Sequence, residues 1–131
     1  MEHFEAAAKR GGLKVLVAEE DARLRRIVRL NLEREGFESL EATSLSECQA
    51  ALQKHEIALV IVSSQLPGFD AGEFSAWLRS HFPSNPIPVV ILSFEPEDRL
   101  LALRLRIATF WLKPFDPGEL IGQVSRLLQT A

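Results

Sequence analysis

Polar side chains directly follow four apolar runs of this 131-residue chain, and together they could hold a divalent cation and a phosphoryl group. They are Glu19 and Glu20 after the first run, Ser63 and Ser93 at the ends of the third and fourth, and Lys113 after the fifth. Parallel strands bring their carboxyl ends to one edge of a sheet. We therefore expect these five side chains to meet at that edge.

Five short apolar runs alternate with five stretches of helical periodicity, which predicts a parallel α/β sheet with helices on both faces. The predicted strands are 13–18, 37–42, 57–63, 89–92 and 108–112, and the predicted helices are 21–35, 45–54, 72–82, 95–106 and 116–128. The run 57–62 is apolar without interruption, as expected of a strand buried on both faces.

Composition limits the classes of function. The length fits one domain, which we place at 13–131, and residues 1–12 are interpreted as a leader, linker or tag remnant. A net charge of −3 gives no argument for binding nucleic acid or a membrane surface. The single cysteine, Cys48, excludes an internal disulfide framework. Without a signal peptide or a spanning segment, a cytoplasmic protein is expected.

From residue 14 to residue 128 the chain resembles the receiver domains of two-component response regulators. The resemblance rests on four segments in this order: an acidic pair after VLVA, the loop LPGFDAGEF, the strand end ILS, and FWLKPFDPGEL. It implies a flavodoxin-like (βα)5 fold, a doubly wound five-stranded parallel sheet of order 2-1-3-4-5. It also implies a role in phosphorelay signal transduction, and we expect no enzyme activity.

The resemblance implies a role for each polar side chain at the sheet edge. In receivers the acidic pair, here Glu19 and Glu20, holds Mg²⁺. The hydroxyl at the end of strand four, here Ser93, contacts the phosphoryl group, and Lys113 pairs with the acceptor carboxylate. The aromatic residue three positions before the lysine is the switch residue, which falls on Phe110. The resemblance also implies a cis peptide bond before Pro114.

The phosphoacceptor aspartate of receivers stands four residues before the proline of the LPG loop, and here that position is Ser63. A serine hydroxyl is a weak nucleophile without an activating base, and the sequence places no histidine nearby. The loss of a carboxylate also weakens the site for Mg²⁺, so at most weak metal binding is expected, with no other cofactor. We expect Glu20 to form an ion pair with Lys113 instead.

The sequence therefore predicts a pseudo-receiver that works by binding proteins. The candidate partners are a histidine kinase, an output domain or a second copy, through the face formed by the fourth helix, fifth strand and fifth helix. That face would include Leu101, Leu105, Phe110 and Trp111. Receivers usually have Gly-Ala after the fourth helix, whereas this chain has Arg106-Ile107, so we expect the end of that helix to be reshaped.

Three alternatives remain open at this stage. Ser63 is either an inert small polar residue or a site of serine phosphorylation. A second possibility is an ordinary phospho-accepting receiver that carries an inactivating substitution at this position. The third is a flavodoxin-like ligand-binding domain, although the acidic Glu19-Glu20-Asp21 stands where such a domain needs a phosphate-binding loop.

Overall fold

The structure, a computed structural model, describes residues 12–129, so the interpretation of residues 1–12 lies almost wholly outside the described residues. Within these described residues, five strands alternate with five helices, as the sequence predicts. The strands are β1 (Lys14–Ala18), β2 (Glu38–Ala42), β3 (Ile57–Ser63), β4 (Val89–Ser93) and β5 (Thr109–Leu112). The helices are α1 (Ala22–Arg34), α2 (Leu45–Lys54), α3 (Ala71–His81), α4 (Asp98–Arg104) and α5 (Pro117–Gln129). Within 12–129, no helix is long and apolar enough to cross a membrane.

All neighbouring strands pair in parallel, in the order β2-β1-β3-β4-β5, which confirms the predicted fold class. The central strands carry apolar residues on both sides because helices cover both faces of the sheet. One layer contains Leu16, Val60 and Ile91 of the sheet with residues of α2 and α3. The other contains alternate positions of the same strands, packed against α1 and α5.

Polar caps at two helix starts position the loops that follow β1 and β3. The Asp21 carboxylate accepts hydrogen bonds from the backbone N–H groups of Arg23 and Leu24, so α1 begins immediately after the acidic pair. The Asp70 carboxylate accepts from the N–H of Glu73 at the start of α3. Each cap fixes where the chain leaves the sheet edge, and therefore where the polar side chains at that edge lie.

Helix α4 is shorter than the sequence predicts, because it covers Asp98–Arg104 and not residues 95–106. At its start, the N–H groups of Asp98, Arg99 and Leu100 each donate to a carbonyl three residues earlier, so the chain enters the helix through tight turns. In α4 itself only Ala102 is buried. Leu100 and Leu103 are 62% and 69% exposed, so these two leucines are more exposed than the apolar pattern of the helix suggested.

The end of α4 keeps the geometry that usually requires glycine. Arg106 has a φ of 58°, its N–H donates to the carbonyl of Leu103, and the N–H of Ile107 donates to that of Ala102. The same pair of bonds ends α1, where Gly36 has the positive φ. The expected reshaping at this helix end therefore does not appear in the backbone, and Arg106 carries the conformational cost.

Candidate functional site

The carboxyl ends of β1, β3 and β5 bring three of the predicted side chains into direct contact. The Lys113 ammonium lies 2.8 Å from Oε1 of Glu19 and donates a hydrogen bond of 3.1 Å to Oγ of Ser63. Glu19 and Ser63 are fully buried, and Lys113 is 6% exposed. The peptide bond between Lys113 and Pro114 is cis, the arrangement that the resemblance implies. A buried lysine thus links the first, third and fifth strands.

The expected ion pair between Glu20 and Lys113 is present but long, and Glu19 is the closer partner of the lysine. Oε2 of Glu20 lies 3.9 Å from the Lys113 ammonium, at the limit of an ion pair, and its side chain is 29% exposed. The reason is the alternation along the extended chain after β1, which turns adjacent side chains to different sides. Glu19 points into the sheet edge, and its other oxygen accepts a hydrogen bond from the N–H of Asp21.

The pKa values of the two adjacent glutamates are shifted in opposite directions. Burial raises the pKa of Glu19 above its usual value, and the contact with Lys113 offsets this only in part. Burial also acts to raise the pKa of Glu20, but the neighbouring Glu19 carboxyl, its own backbone N–H and the Ser63 hydroxyl together outweigh it and lower that pKa. Of the two carboxyls, Glu19 is therefore the one that takes up a proton first as the pH falls.

The surroundings of Ser63 do not favour a nucleophilic hydroxyl. Its oxygen accepts hydrogen bonds from the Lys113 ammonium and from the backbone N–H of Gln65, 3.2 Å away. Glu20 is the carboxylate whose pKa this hydroxyl helps to lower, and a lowered pKa makes it a weak proton acceptor. The oxygen therefore accepts hydrogen bonds from two donors, and the neighbouring carboxylate is a poor base. These surroundings stabilise the hydroxyl and do not activate it as a nucleophile.

Ser93 lies at the same sheet edge but makes different contacts. Its hydroxyl donates a 2.7 Å hydrogen bond to Oδ2 of Asp98 in the first turn of α4, and accepts one from the N–H of Glu95. It is 1% exposed. Within the described chain, then, the Ser93 hydroxyl is bound to the start of α4 and not to Ser63 or Lys113.

Two further side chains belong to this site and were not identified from the sequence. The ring of Phe94, which is 52% exposed, lies over the Lys113 ammonium at 5.0 Å, and Asp98 holds Ser93. Phe94 covers the solvent side of the buried lysine and adds a cation–π contact. For Phe94, the signal in the sequence was its position alone, because it directly follows a strand end where the other site residues lie.

The donor set fits a divalent cation poorly. A hard cation needs several anionic or carbonyl oxygens around one point. Here the Lys113 ammonium, itself a cation, stands between Oε1 of Glu19 and Oγ of Ser63. Within residues 12–129, no three His, Cys, Asp or Glu side chains are grouped so that they could hold a metal ion. The Lys113 ammonium supplies the positive charge at this site that a metal ion would otherwise supply.

The four side chains expected to form a partner face do not lie on one surface. Phe110 and Trp111 are adjacent in β5 and point to opposite faces of the sheet, where they pack against different apolar layers. The Arg99 guanidinium lies 5.1 Å above the Phe110 ring. Leu101 is 39% exposed, whereas Leu105 is half-buried on the side of α4 that faces α3.

Comparison with known proteins identifies relatives across nearly the whole chain. A family model described as the response regulator receiver domain matches residues 15–125. The chain is 30% identical over 122 residues to the transcriptional regulatory protein GltR of Pseudomonas aeruginosa, covering 92% of this chain and 50% of GltR. It is 30% identical over 118 residues to the phosphate regulon transcriptional regulatory protein PhoB of Escherichia coli, covering 88% and 52%. The chain thus spans about half the length of these relatives.

Solved structures share the fold. HP1043, an orphan response regulator of H. pylori, superposes with a TM-score of 0.80 at 23% identity, over 91% of this chain and 98% of that one. NtrX from Brucella abortus gives a TM-score of 0.78 at 27% identity, over 89% of this chain and 27% of NtrX. The second match again places the similarity in one part of a longer protein.

Proposed function

Because the chain belongs to the response regulator receiver domain family, we propose that it is a signalling domain whose state does not depend on phosphoryl transfer. In this proposal Ser63 occupies the acceptor position of the family. The observation that carries it is the contact of the Lys113 ammonium with both Ser63 and Glu19. With Glu19 as its counter-ion, Lys113 needs no acceptor carboxylate and no phosphoryl group to be stable in a buried site.

The electrostatics of the site support the same proposal. An acyl phosphate requires a carboxylate nucleophile, whereas the Ser63 hydroxyl accepts from two donors, and the neighbouring Glu20 is a weak base. Phosphoryl transfer also requires charge neutralisation by a metal ion. The cluster of Glu19, Glu20 and Lys113 contains a positive charge, so its affinity for a divalent cation is low. We therefore propose that the domain is not an enzyme and uses no metal cofactor.

The test is exposure of the intact protein to acetyl phosphate, and separately to beryllofluoride, each with Mg²⁺. We expect no covalent mass increase and no change in the amide NMR spectrum. Ser63→Ala is the matched control, because it keeps the site's size and removes the only hydroxyl at the acceptor position. A mass increase that maps to Ser63 and is absent from the S63A variant would refute the proposal.

A second experiment separates this proposal from an ordinary receiver with one inactivating substitution. The variant Ser63→Asp restores a carboxylate at the acceptor position. We expect little or no labelling by acetyl phosphate, because Lys113 remains bound to Glu19 and the acidic pair consists of glutamates. Strong, Mg²⁺-dependent labelling of the S63D variant would support the inactivated receiver.

Signalling without phosphorylation requires partners, and we propose that these are proteins that dock on the face formed by α4, β5 and α5. On this side of the molecule Leu103 and Leu112 are exposed, by 69% and 37%. The relatives are about twice as long, so an output domain in the same protein, a kinase or a second copy each fits. Sedimentation of the wild type and of Leu103→Glu distinguishes self-association, because only self-association makes the mass depend on protein concentration.

A further inference from the structure

A half-open apolar groove lies between α3 and α4, away from the polar cluster. Its volume is about 720 Å³. Phe74 and Phe82 of the α3 region form one wall, Val89 and Ile91 of β4 form the floor, and Ile107 lies at the opposite wall. The groove runs along β4 on the sheet face that α2 and α3 cover.

The groove exists because α4 fills little of the space beside α3. The helix is seven residues long, and its one buried side chain is the small Ala102. Leu105 lines the groove, and helical spacing places Leu101 on the same side one turn earlier. An apolar surface therefore continues from the groove up the exposed flank of α4. Contiguous apolar surface that ends in a concave site is typical of a place where another molecule binds.

The charges at the groove have one sign. Among its lining residues the only charged side chains are Arg79 and Arg106, and both are exposed. In the described part of the chain neither forms an ion pair, since Arg79 donates to the neutral hydroxyl of Ser75. Arg104 adds a third positive charge at this end of α4. In a protein of net charge −3, this is a local basic rim on an apolar groove.

We propose that the groove binds an amphipathic helical segment of a partner protein, with apolar residues on one face and carboxylates beside them. The volume alone would also suit a small ligand, for which roughly 300–1,000 Å³ is usual. The groove is, however, half-open along the strand, and the exposed flank of α4 extends the apolar surface beyond it. Both features suit the apolar anchors of a helix at i, i+4 and i+7. The arginines then pair with the carboxylates and select acidic partners.

This inference is independent of the proposed loss of phosphorylation. The groove lies on the side of α4 that faces α3, whereas the proposed partner face lies on the side that faces β5. Labelling of Ser63 would overturn the proposed function and leave the groove untouched. Conversely, a groove that binds nothing would leave the proposed chemistry of the sheet edge unchanged.

The probe is a synthetic helical peptide that lacks tryptophan and carries leucines along one face and glutamates on its flanks. A matched peptide replaces every glutamate by lysine. Binding is followed by amide NMR of the intact domain and by the fluorescence of Trp77, whose ring stacks on Phe74 at 6.3 Å and meets Phe82 edge-on at 6.1 Å. We expect the acidic peptide to bind at least about tenfold more tightly than the basic one, with shifts confined to the groove.

The decisive variants change the charge and leave the core intact. The double variant Arg79→Glu, Arg106→Glu should reverse the preference between the two peptides. Arg26→Glu, an exposed position of α1 on the opposite face of the sheet, is the matched charge-reversal control and should leave both affinities unchanged. No binding of the acidic peptide, equal affinity for both peptides, or shifts outside the groove would each overturn the proposal. Self-association that the double variant abolishes would also overturn it, because the occupant would then be a second copy.

Discussion

Lys113 is the residue on which the candidate site depends. It contacts a carboxylate from the end of β1 and a hydroxyl from the end of β3, while Phe94 covers its outer side. Each contact satisfies a group that burial would otherwise leave unpaired at a cost in free energy. The residue-scale conclusion is that the site is stable as it stands, since its positive charge is matched by side chains of the chain itself.

Replacing Lys113 by methionine tests this conclusion. The variant keeps the length of the side chain but leaves the buried Glu19 carboxylate without its counter-ion. We expect the free energy of unfolding at pH 7 to fall by roughly 3–5 kcal/mol, measured by urea denaturation. The double variant Glu19→Gln, Lys113→Met should recover most of the loss. A single variant as stable as the wild type would show that the ion pair contributes nothing.

The raised pKa of Glu19 predicts the pH dependence of stability. Because burial raises the folded-state pKa of Glu19 above its ordinary value of 4.5, folding favours the protonated carboxyl. The contribution of Glu19 to stability is therefore complete below pH 4.5 and is lost as the pH rises through the folded-state pKa. In urea denaturation across this range, Glu19→Gln should remove that loss, so the variant gains on the wild type as the pH rises. A constant difference between the two proteins would contradict the assigned shift.

At the scale of elements, α4 differs most from its expected form. It begins where the Ser93 hydroxyl holds Asp98, and the chain leaves it through Arg106 in a left-handed conformation. The sequence predicted the existence of this helix, because its apolar residues recur at helical spacing. Its short length could not be predicted, since that length depends on hydrogen bonds in the tight turns before Asp98. The exposure of its leucines follows from this short length.

Arg106→Gly should stabilise the domain. A left-handed backbone costs an ordinary residue about 1–2 kcal/mol, and glycine adopts it freely. Glycine also has more conformational entropy in the unfolded chain, which offsets part of this gain. We therefore expect a net increase of about 0.5–1 kcal/mol in the free energy of unfolding. Arg104→Gly, inside the helix, is the control and should lose about 1 kcal/mol. Equal losses in both variants would contradict the strain at Arg106.

Ser93→Ala should loosen α4 without unfolding the domain. The variant removes the hydroxyl that donates to Asp98 and accepts from the N–H of Glu95. We expect faster amide hydrogen exchange in α4 and unchanged exchange in β1 and β3, since local opening requires few buried contacts to break. Ser46→Ala, at an exposed position of α2, is the control. Unchanged exchange in α4 would show that Ser93 does not hold the helix.

At the scale of the whole molecule, one sheet carries two apolar layers. The alternation of strands and helices made the class of fold predictable, because strands buried on both faces appear in the sequence as uninterrupted apolar runs. The ends of the apolar runs predicted the positions of the edge residues, and the resemblance supplied their roles. The sequence predicted an ion pair of Lys113 with Glu20, which lies at 3.9 Å, but not the closer one with Glu19, because the choice between two adjacent glutamates depends on which one the chain turns inward. Phe94 was missed because its role comes only from its position above Lys113.

The shared sheet predicts that both layers unfold together. Trp77 packs against the layer of α2 and α3, and Trp111 against the layer of α1 and α5, so each reports on one side. In Trp111→Phe and Trp77→Phe variants, the remaining fluorescence should give the same urea midpoint as circular dichroism once each variant's stability is measured. Distinct midpoints for fluorescence and circular dichroism within one variant would show that the layers unfold separately.

The enclosed position of Lys113 has a consequence for protein modification. The chain has four lysines, Lys9, Lys14, Lys54 and Lys113, and acylation or methylation requires an amine that a reagent or an enzyme can reach. Lys113 is 6% exposed, with Phe94 over its nitrogen, whereas Lys54 is exposed at the end of α2. Chemical labelling of the folded protein should therefore mark Lys54 and leave Lys113 untouched. The family's lysine position is thus closed to modification as long as the domain is folded.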